Sequence, residues 1–253
     1  MENPIFLSEQ SGKSFVYYHT HRVYKENLEE AIKSKKSIEL DISFDEKGVF
    51  YEKGAYYIGH PVTFYTEFGK EFHNNMLLEE AIKILEANSD IFVVLDCKDI
   101  RAFIKIEEII KRLGAHRCLF HAFIKEWSFR PFESDIEVEP HWKEEEIPLE
   151  EVLRFKERNK IPIIGACKGF SEKRLRDRNV VNQIIDSVKG RDIDSISLYM
   201  PGTILPPLDL ARQLSQAGFL NWINIDKIEG VDLSGITYIG MTDVLERASD
   251  FKS

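Results

Sequence analysis

Short runs of β-branched and aromatic residues recur along the chain at SFVYYHTH (14–21), SIELDIS (37–43), DIFVVLDCK (90–98), RCLFHAFI (117–124), IPIIGACK (161–168), SISLYM (195–200), FLNWINID (219–226) and ITYIGMTD (236–243). Each has the length and residue types of a buried strand. Between most of them the apolar positions change to helical spacing. Leu28, Ala31 and Ile32 fall on one helix face, and Leu77, Leu78, Ala81, Ile82 and Leu85 on another. Phe103, Ile106, Ile109, Ile110 and Leu113 form a third, stopped by Gly114. Strands alternating with helices imply right-handed parallel βαβ units. Eight such strands in 253 residues match a (β/α)8 TIM barrel, so the expected fold class is α/β with one domain over 1–253. A doubly wound open sheet is the alternative. Against it, no Gly-rich phosphate loop follows the first strand.

A barrel gives the polar residues inside these runs a location. Its site lies at the C-terminal mouth, where the strands end. Side chains alternate along a strand, so Ile38, Leu40 and Ile42 share the face that meets the helices, and Glu39 and Asp41 share the inward face. His19 and His21, at the end of the first strand, share a face, as do Asp96 and Lys98 on the third. His60 stands in IGHP, where a short hairpin-like loop returns from the second strand to the same mouth. Three carboxylates brought together repel unless a cation lies between them. All-oxygen ligation by Glu39, Asp41 and Asp96 favours one hard divalent ion, Mg²⁺ or Ca²⁺. The remaining histidines, His73, His116, His121 and His141, read as structural or surface residues.

Composition narrows the class without changing it. The chain is 43% hydrophobic, enough for a real core, and carries a formal charge of −9 with no basic block, which argues against nucleic acid as a partner. Cys97, Cys118 and Cys167 fit neither a zinc spacing nor a disulfide framework, which suits a reducing compartment. The start MENPIFLSEQSGK lacks a basic segment and an apolar run, and no stretch approaches the roughly 20 apolar residues of a membrane span. A soluble cytoplasmic protein acting on a small molecule is expected, and the pattern specifies no oligomeric state.

These residues resemble the phospholipase-C-like phosphodiesterase superfamily. The closest likeness is to glycerophosphodiester phosphodiesterases, with sphingomyelinase D and menorin-like proteins as relatives. That pattern has His-Arg ending the first strand, E-x-D in the second, a His in the following loop and acid-x-Lys ending the third. Here these are His21-Arg22, IELDISFD, GHP and LDCK. NWINIDK is similar to the family's seventh-strand segment, which implies Trp222 at the mouth as a substrate contact. The resemblance implies Glu39, Asp41 and Asp96 as metal ligands, His21 and His60 as the acid–base pair, and Arg22 and Lys98 on the phosphate. The spacing to Glu39 in sphingomyelinase-D-like relatives fits His19 instead of His21, so the first histidine is one of these two. The implied activity is metal-dependent cleavage of a glycerophosphodiester or related phospholipid-derived phosphodiester, a phosphoric diester hydrolase. Water or a neighbouring substrate hydroxyl attacks, the latter giving a cyclic phosphate. The alternative is a non-catalytic barrel of the same family serving as a ligand-binding or regulatory protein.

Overall fold

The computed structural model, described over residues 15–20, 25–34, 37–61, 75–127, 146–167, 178–191, 193–198, 208–224 and 230–242, builds strands where the apolar runs stand. In chain order they are β1 Phe15–Thr20, β2 Ser37–Asp45, β3 Ala55–Ile58, β4 Met76–Leu77, β5 Val93–Cys97, β6 Cys118–Ile124, β7 Glu146–Ile147, β8 Ile163–Cys167, β9 Ser195–Leu198, β10 Leu220–Asn224 and β11 Tyr238–Thr242. The helices are α1 Lys25–Lys33, α2 Leu78–Glu86, α3 Phe103–Leu113, α4 Leu149–Asn159, α5 Arg178–Val188 and α6 Leu208–Gln216. Among the described residues, no helix is long and apolar enough to cross a membrane.

Eight of the strands close into a ring. β1 pairs with β2, β2 with β5, β5 with β6 and β6 with β8, all in parallel. The ring continues through β9, β10 and β11, and β11 pairs in parallel with β1. Every ring strand therefore has a ring neighbour on each side and the ring has no free edge, which makes this a (β/α)8 barrel. Seven of its strands fall within the apolar runs of the sequence, and β2 continues two residues past its run to Asp45. Three short strands lie outside the ring: β3 antiparallel to β2, β4 antiparallel to β3, and β7 parallel to β6.

The alternation along β2 divides two cores. Ile38, Leu40 and Ile42 are fully buried in the layer between barrel and helices, with Leu28 of α1, Leu85 of α2 and Ile106 of α3. Each such aliphatic side chain contributes about 1.5–3 kcal/mol on burial. The barrel interior holds a smaller plug of Phe92, Val94, Leu119, Ile164 and Trp222. Polar residues of the mouth occupy the strand positions that follow this plug. The three cysteines face the outer layer and are buried, and burial pushes the Cys118 thiol up to about 12. Arg117 closes the end of α2 from beneath: its guanidinium donates to the carbonyls of Leu85, Asn88 and Ile91 at 2.7–3.1 Å.

Candidate functional site

The barrel register assembles the site in rows. Asp41 of β2 stands opposite Asp96 of β5, and Asp96 stands opposite His121 of β6. One layer deeper, Glu39 is level with Val94, and Val94 with Leu119. Val94 and Leu119 belong to the apolar plug, so Glu39 sits at the boundary between plug and mouth. Glu39, Asp41 and Asp96 are 5%, 2% and 1% exposed, which makes their charge expensive without compensation.

Lys98 supplies part of that compensation. It is two residues past Asp96 and therefore on the same face, at the point where β5 ends. Its Nζ donates to Asp96 Oδ2 at 2.6 Å and lies 3.5 Å from Asp41 Oδ1. It also stands 5.5 Å from the centre of the Phe123 ring. Burial alone would push the ammonium down, but the Asp41, Asp96 and Glu39 carboxylates hold it well above its ordinary range. Burial likewise works to raise the Asp41 carboxyl. Lys98 and His60 outweigh it and hold Asp41 well below the usual carboxylate range. Lys98 is thus the ammonium on which all three carboxylates act.

His60 reaches this cluster by the hairpin expected after β2. Asp45 closes the turn: Oδ1 accepts from the backbone N–H groups of Gly48 and Val49, and Oδ2 from those of Phe50 and Tyr51, at 2.7–2.9 Å. Burial opposes the charge, but these four donors hold the Asp45 carboxyl below its ordinary value. β3 then returns along β2, and the Gly59 N–H donates to the Asp41 carbonyl at 2.7 Å. The Ser43 hydroxyl donates to the Gly59 carbonyl and the Tyr57 hydroxyl to the His60 carbonyl, at 2.7 and 2.9 Å. Gly59 has φ 137°, and a Cβ there would lie 2.4 Å from Asn75 Oδ1. Only glycine suits both the backbone angle and the close approach. The outcome is a buried imidazole whose Nε2 lies 3.2 Å from Asp41 Oδ2.

His121, read as structural or surface, is not at the surface: its side chain is 12% exposed and its Nδ1 lies 3.2 Å from Asp96 Oδ2. Glu39, Asp96 and His121 each offer a ligand atom, all within 4.8 Å of one another. Asp96 Oδ1 and His121 Nε2 are buried with no hydrogen-bond partner among the described residues. Buried orphans of this kind cost about 1–3 kcal/mol each unless something engages them. Two carboxylates and an imidazole gathered this closely fit a divalent cation. Asp41, expected as the third carboxylate ligand, lies 3.2 Å from His60 Nε2 and 3.5 Å from Lys98 Nζ, and both its oxygens lack a hydrogen-bond partner among the described residues.

The other expected site residues divide into three groups. His19 lies on β1, paired in register with Ser37, two residues before Glu39. His21 and Arg22 lie outside the described residues. Trp222, expected at the mouth, packs into the apolar plug and is only 5% exposed. A large amphipathic side chain on a late strand suits the floor of a barrel as well as its rim, and sequence spacing does not separate the two. His121 did leave a signal in the sequence. It alternates in phase with Leu119 on a strand that is otherwise apolar on both faces, so it had to point inward.

No family model and no curated protein matches the chain. Solved structures similar to it include a glycerophosphoryl diester phosphodiesterase from Parabacteroides distasonis ATCC 8503. That protein is 12% identical, with 94% of this chain and 85% of that chain covered and a TM-score of 0.46. A glycerophosphodiester phosphodiesterase from Agrobacterium tumefaciens str. C58 is 11% identical, with 94% and 99% covered and a TM-score of 0.38. Both likenesses are loose, and the site stands on its own side chains.

Proposed function

We propose that this barrel mouth is the active site of a metal-dependent phosphodiesterase of the phospholipase-C-like superfamily. Its substrate would be a glycerophosphodiester or a related phospholipid-derived phosphodiester, handled by the whole chain as one domain. The observation that carries this reading is the convergence of Glu39 and Asp96 with an imidazole, beside the Lys98 ammonium and the His60 ring.

A phosphodiester is an anion, so a nucleophile approaches it against like charge. Glu39 and Asp96 would hold a divalent cation, which would supply Lewis-acid charge against this repulsion. Lys98 and Arg22 hold the non-bridging phosphoryl oxygens. Lys98 is ion-paired to Asp41 and Asp96, and these pairs keep it charged and fixed in the mouth. His21 or His19 takes the proton of the attacking oxygen, which belongs to water or to a substrate hydroxyl. His60 gives a proton to the departing alkoxide, which leaves poorly as an anion. Asp41 holds the His60 ring from its Nε2 side.

The test is a panel of glycerol, choline and ethanolamine phosphodiesters incubated with the purified protein and a divalent cation, with products read by phosphorus NMR. Conversion to a monoester or a cyclic phosphate supports the reading and identifies the nucleophile. A panel unchanged under Mg²⁺, Ca²⁺ and Mn²⁺ alike contradicts it.

A further inference from the structure

We infer that His121 is itself a ligand of the bound cation, and that this nitrogen donor turns the site from Mg²⁺ or Ca²⁺ toward a first-row transition ion. The inference rests on the metal-dependent reading above and concerns which ion that reading requires.

The geometry supports a shared ion. Bonds of about 2.0–2.2 Å to oxygen and nitrogen place ligand atoms roughly 3–4.2 Å apart around one cation. Glu39, Asp96 and His121 already have ligand atoms within 4.8 Å of one another, so a small contraction closes the set. The imidazole presents Nδ1 to this group, 3.2 Å from Asp96 Oδ2, a spacing at which both atoms can bind one ion. Phe123 braces the ring from the side, with centroids 5.0 Å apart. Asp96 Oδ1 is buried with no hydrogen-bond partner among the described residues, which leaves it open to the ion.

Chemistry then selects the ion. Mg²⁺ and Ca²⁺ prefer all-oxygen shells, whereas imidazole suits first-row transition ions. The all-oxygen set of Glu39, Asp41 and Asp96 favours Mg²⁺ or Ca²⁺. In this structure Glu39, Asp96 and His121 are the described residues grouped within 4.8 Å, so a nitrogen donor stands with the carboxylates.

The experiment uses metal-free protein, Mn²⁺ and Mg²⁺ as probes, and the variants His121→Gln and His60→Gln. Pulsed EPR of the Mn²⁺ form should show ¹⁴N modulation from a bound imidazole in the parent and in His60→Gln, but not in His121→Gln. Calorimetry should show Mn²⁺ preferred over Mg²⁺ by the parent. His121→Gln, which substitutes an oxygen donor, should lose at least about 100-fold in Mn²⁺ affinity and less than about tenfold for Mg²⁺. The parent spectrum alone decides the matter if the variant does not fold: Mn²⁺ bound without ¹⁴N modulation overturns the inference. Modulation that survives in His121→Gln, or equal losses for both ions, overturns it as well. Phosphodiester turnover is scored separately. Turnover without nitrogen ligation removes this inference and leaves the phosphodiesterase standing. Nitrogen ligation without turnover of any diester does the reverse.

Discussion

Replacing Asp45 perturbs the site without touching it. Its carboxylate collects four backbone N–H groups and so defines the turn that carries β3 and His60 back to the mouth. Gly48 and Val49 are exposed, so their donors rehydrate when the carboxylate is removed, and those two bonds are worth little. Phe50 and Tyr51 are half-buried, and losing a charged acceptor there costs more. Asp45→Ala should therefore lose about 3–4 kcal/mol, a drop in Tm of roughly 6–16 °C for a chain of this size. Asp45→Asn separates hydrogen bonding from packing. It keeps the shape and one acceptor oxygen, but turns an NH₂ group toward two N–H donors, so it should lose at least about 2 kcal/mol. The carboxyl is depressed in the folded state, so its stabilisation is complete above the ordinary value near 3.9 and disappears as the pH falls through the depressed one. The gap between parent and Asp45→Asn should thus be full at pH 7 and shrink in strong acid. Thermal melts across pH, with hydrogen exchange of residues 48–51, measure both effects. An Asp45→Asn variant within about 0.5 kcal/mol of the parent at pH 7, or a gap that widens in acid, would refute the reasoning.

Three further predictions concern the mouth. Lys98→Met strips the ammonium from two carboxylates that are almost fully buried and should cost the metal-free protein roughly 3–5 kcal/mol in chemical denaturation, with a loss below about 1 kcal/mol showing the pairs to be incidental. His60→Ala should slow cleavage of an alkyl diester by about 10²–10⁴ and of a nitrophenyl diester far less, because nitrophenolate leaves without a proton. Equal losses on both diesters would assign His60 to positioning. Of His19→Ala and His21→Ala, one should abolish turnover and the other spare most of it, and two active variants would remove the base from this strand.

Much of this architecture was legible in the sequence because a barrel strand is buried on both sides. Continuous apolar runs therefore mark all eight ring strands, and the inward phase of Glu39, Asp41 and Asp96 follows from alternation alone. The pairing of Asp96 with Lys98 was equally visible, since residues two apart on a strand share a face. β4 and β7, each two residues long, and the four-residue β3 carry too little pattern to announce themselves. The ligand set was less legible. Which carboxylate faces the cation and which faces Lys98 depends on register across strands and on the hairpin that delivers His60, and both arise from long-range packing. His121 was overlooked because a single histidine in an apolar strand has no partner in sequence; its partner Asp96 is supplied only by the neighbouring strand.

The central claim is that the mouth is catalytic and works through a cation held by Asp96 and its neighbours. The most direct measurement is the initial rate of hydrolysis of a nitrophenyl phosphodiester by metal-stripped protein, before and after divalent cation is restored, run beside Asp96→Asn. The account predicts negligible turnover without metal, recovery on adding it back, and no recovery in Asp96→Asn, whose fold is checked by its melting curve. Turnover that persists in chelator, or an Asp96→Asn variant that recovers as fully as the parent, would contradict it.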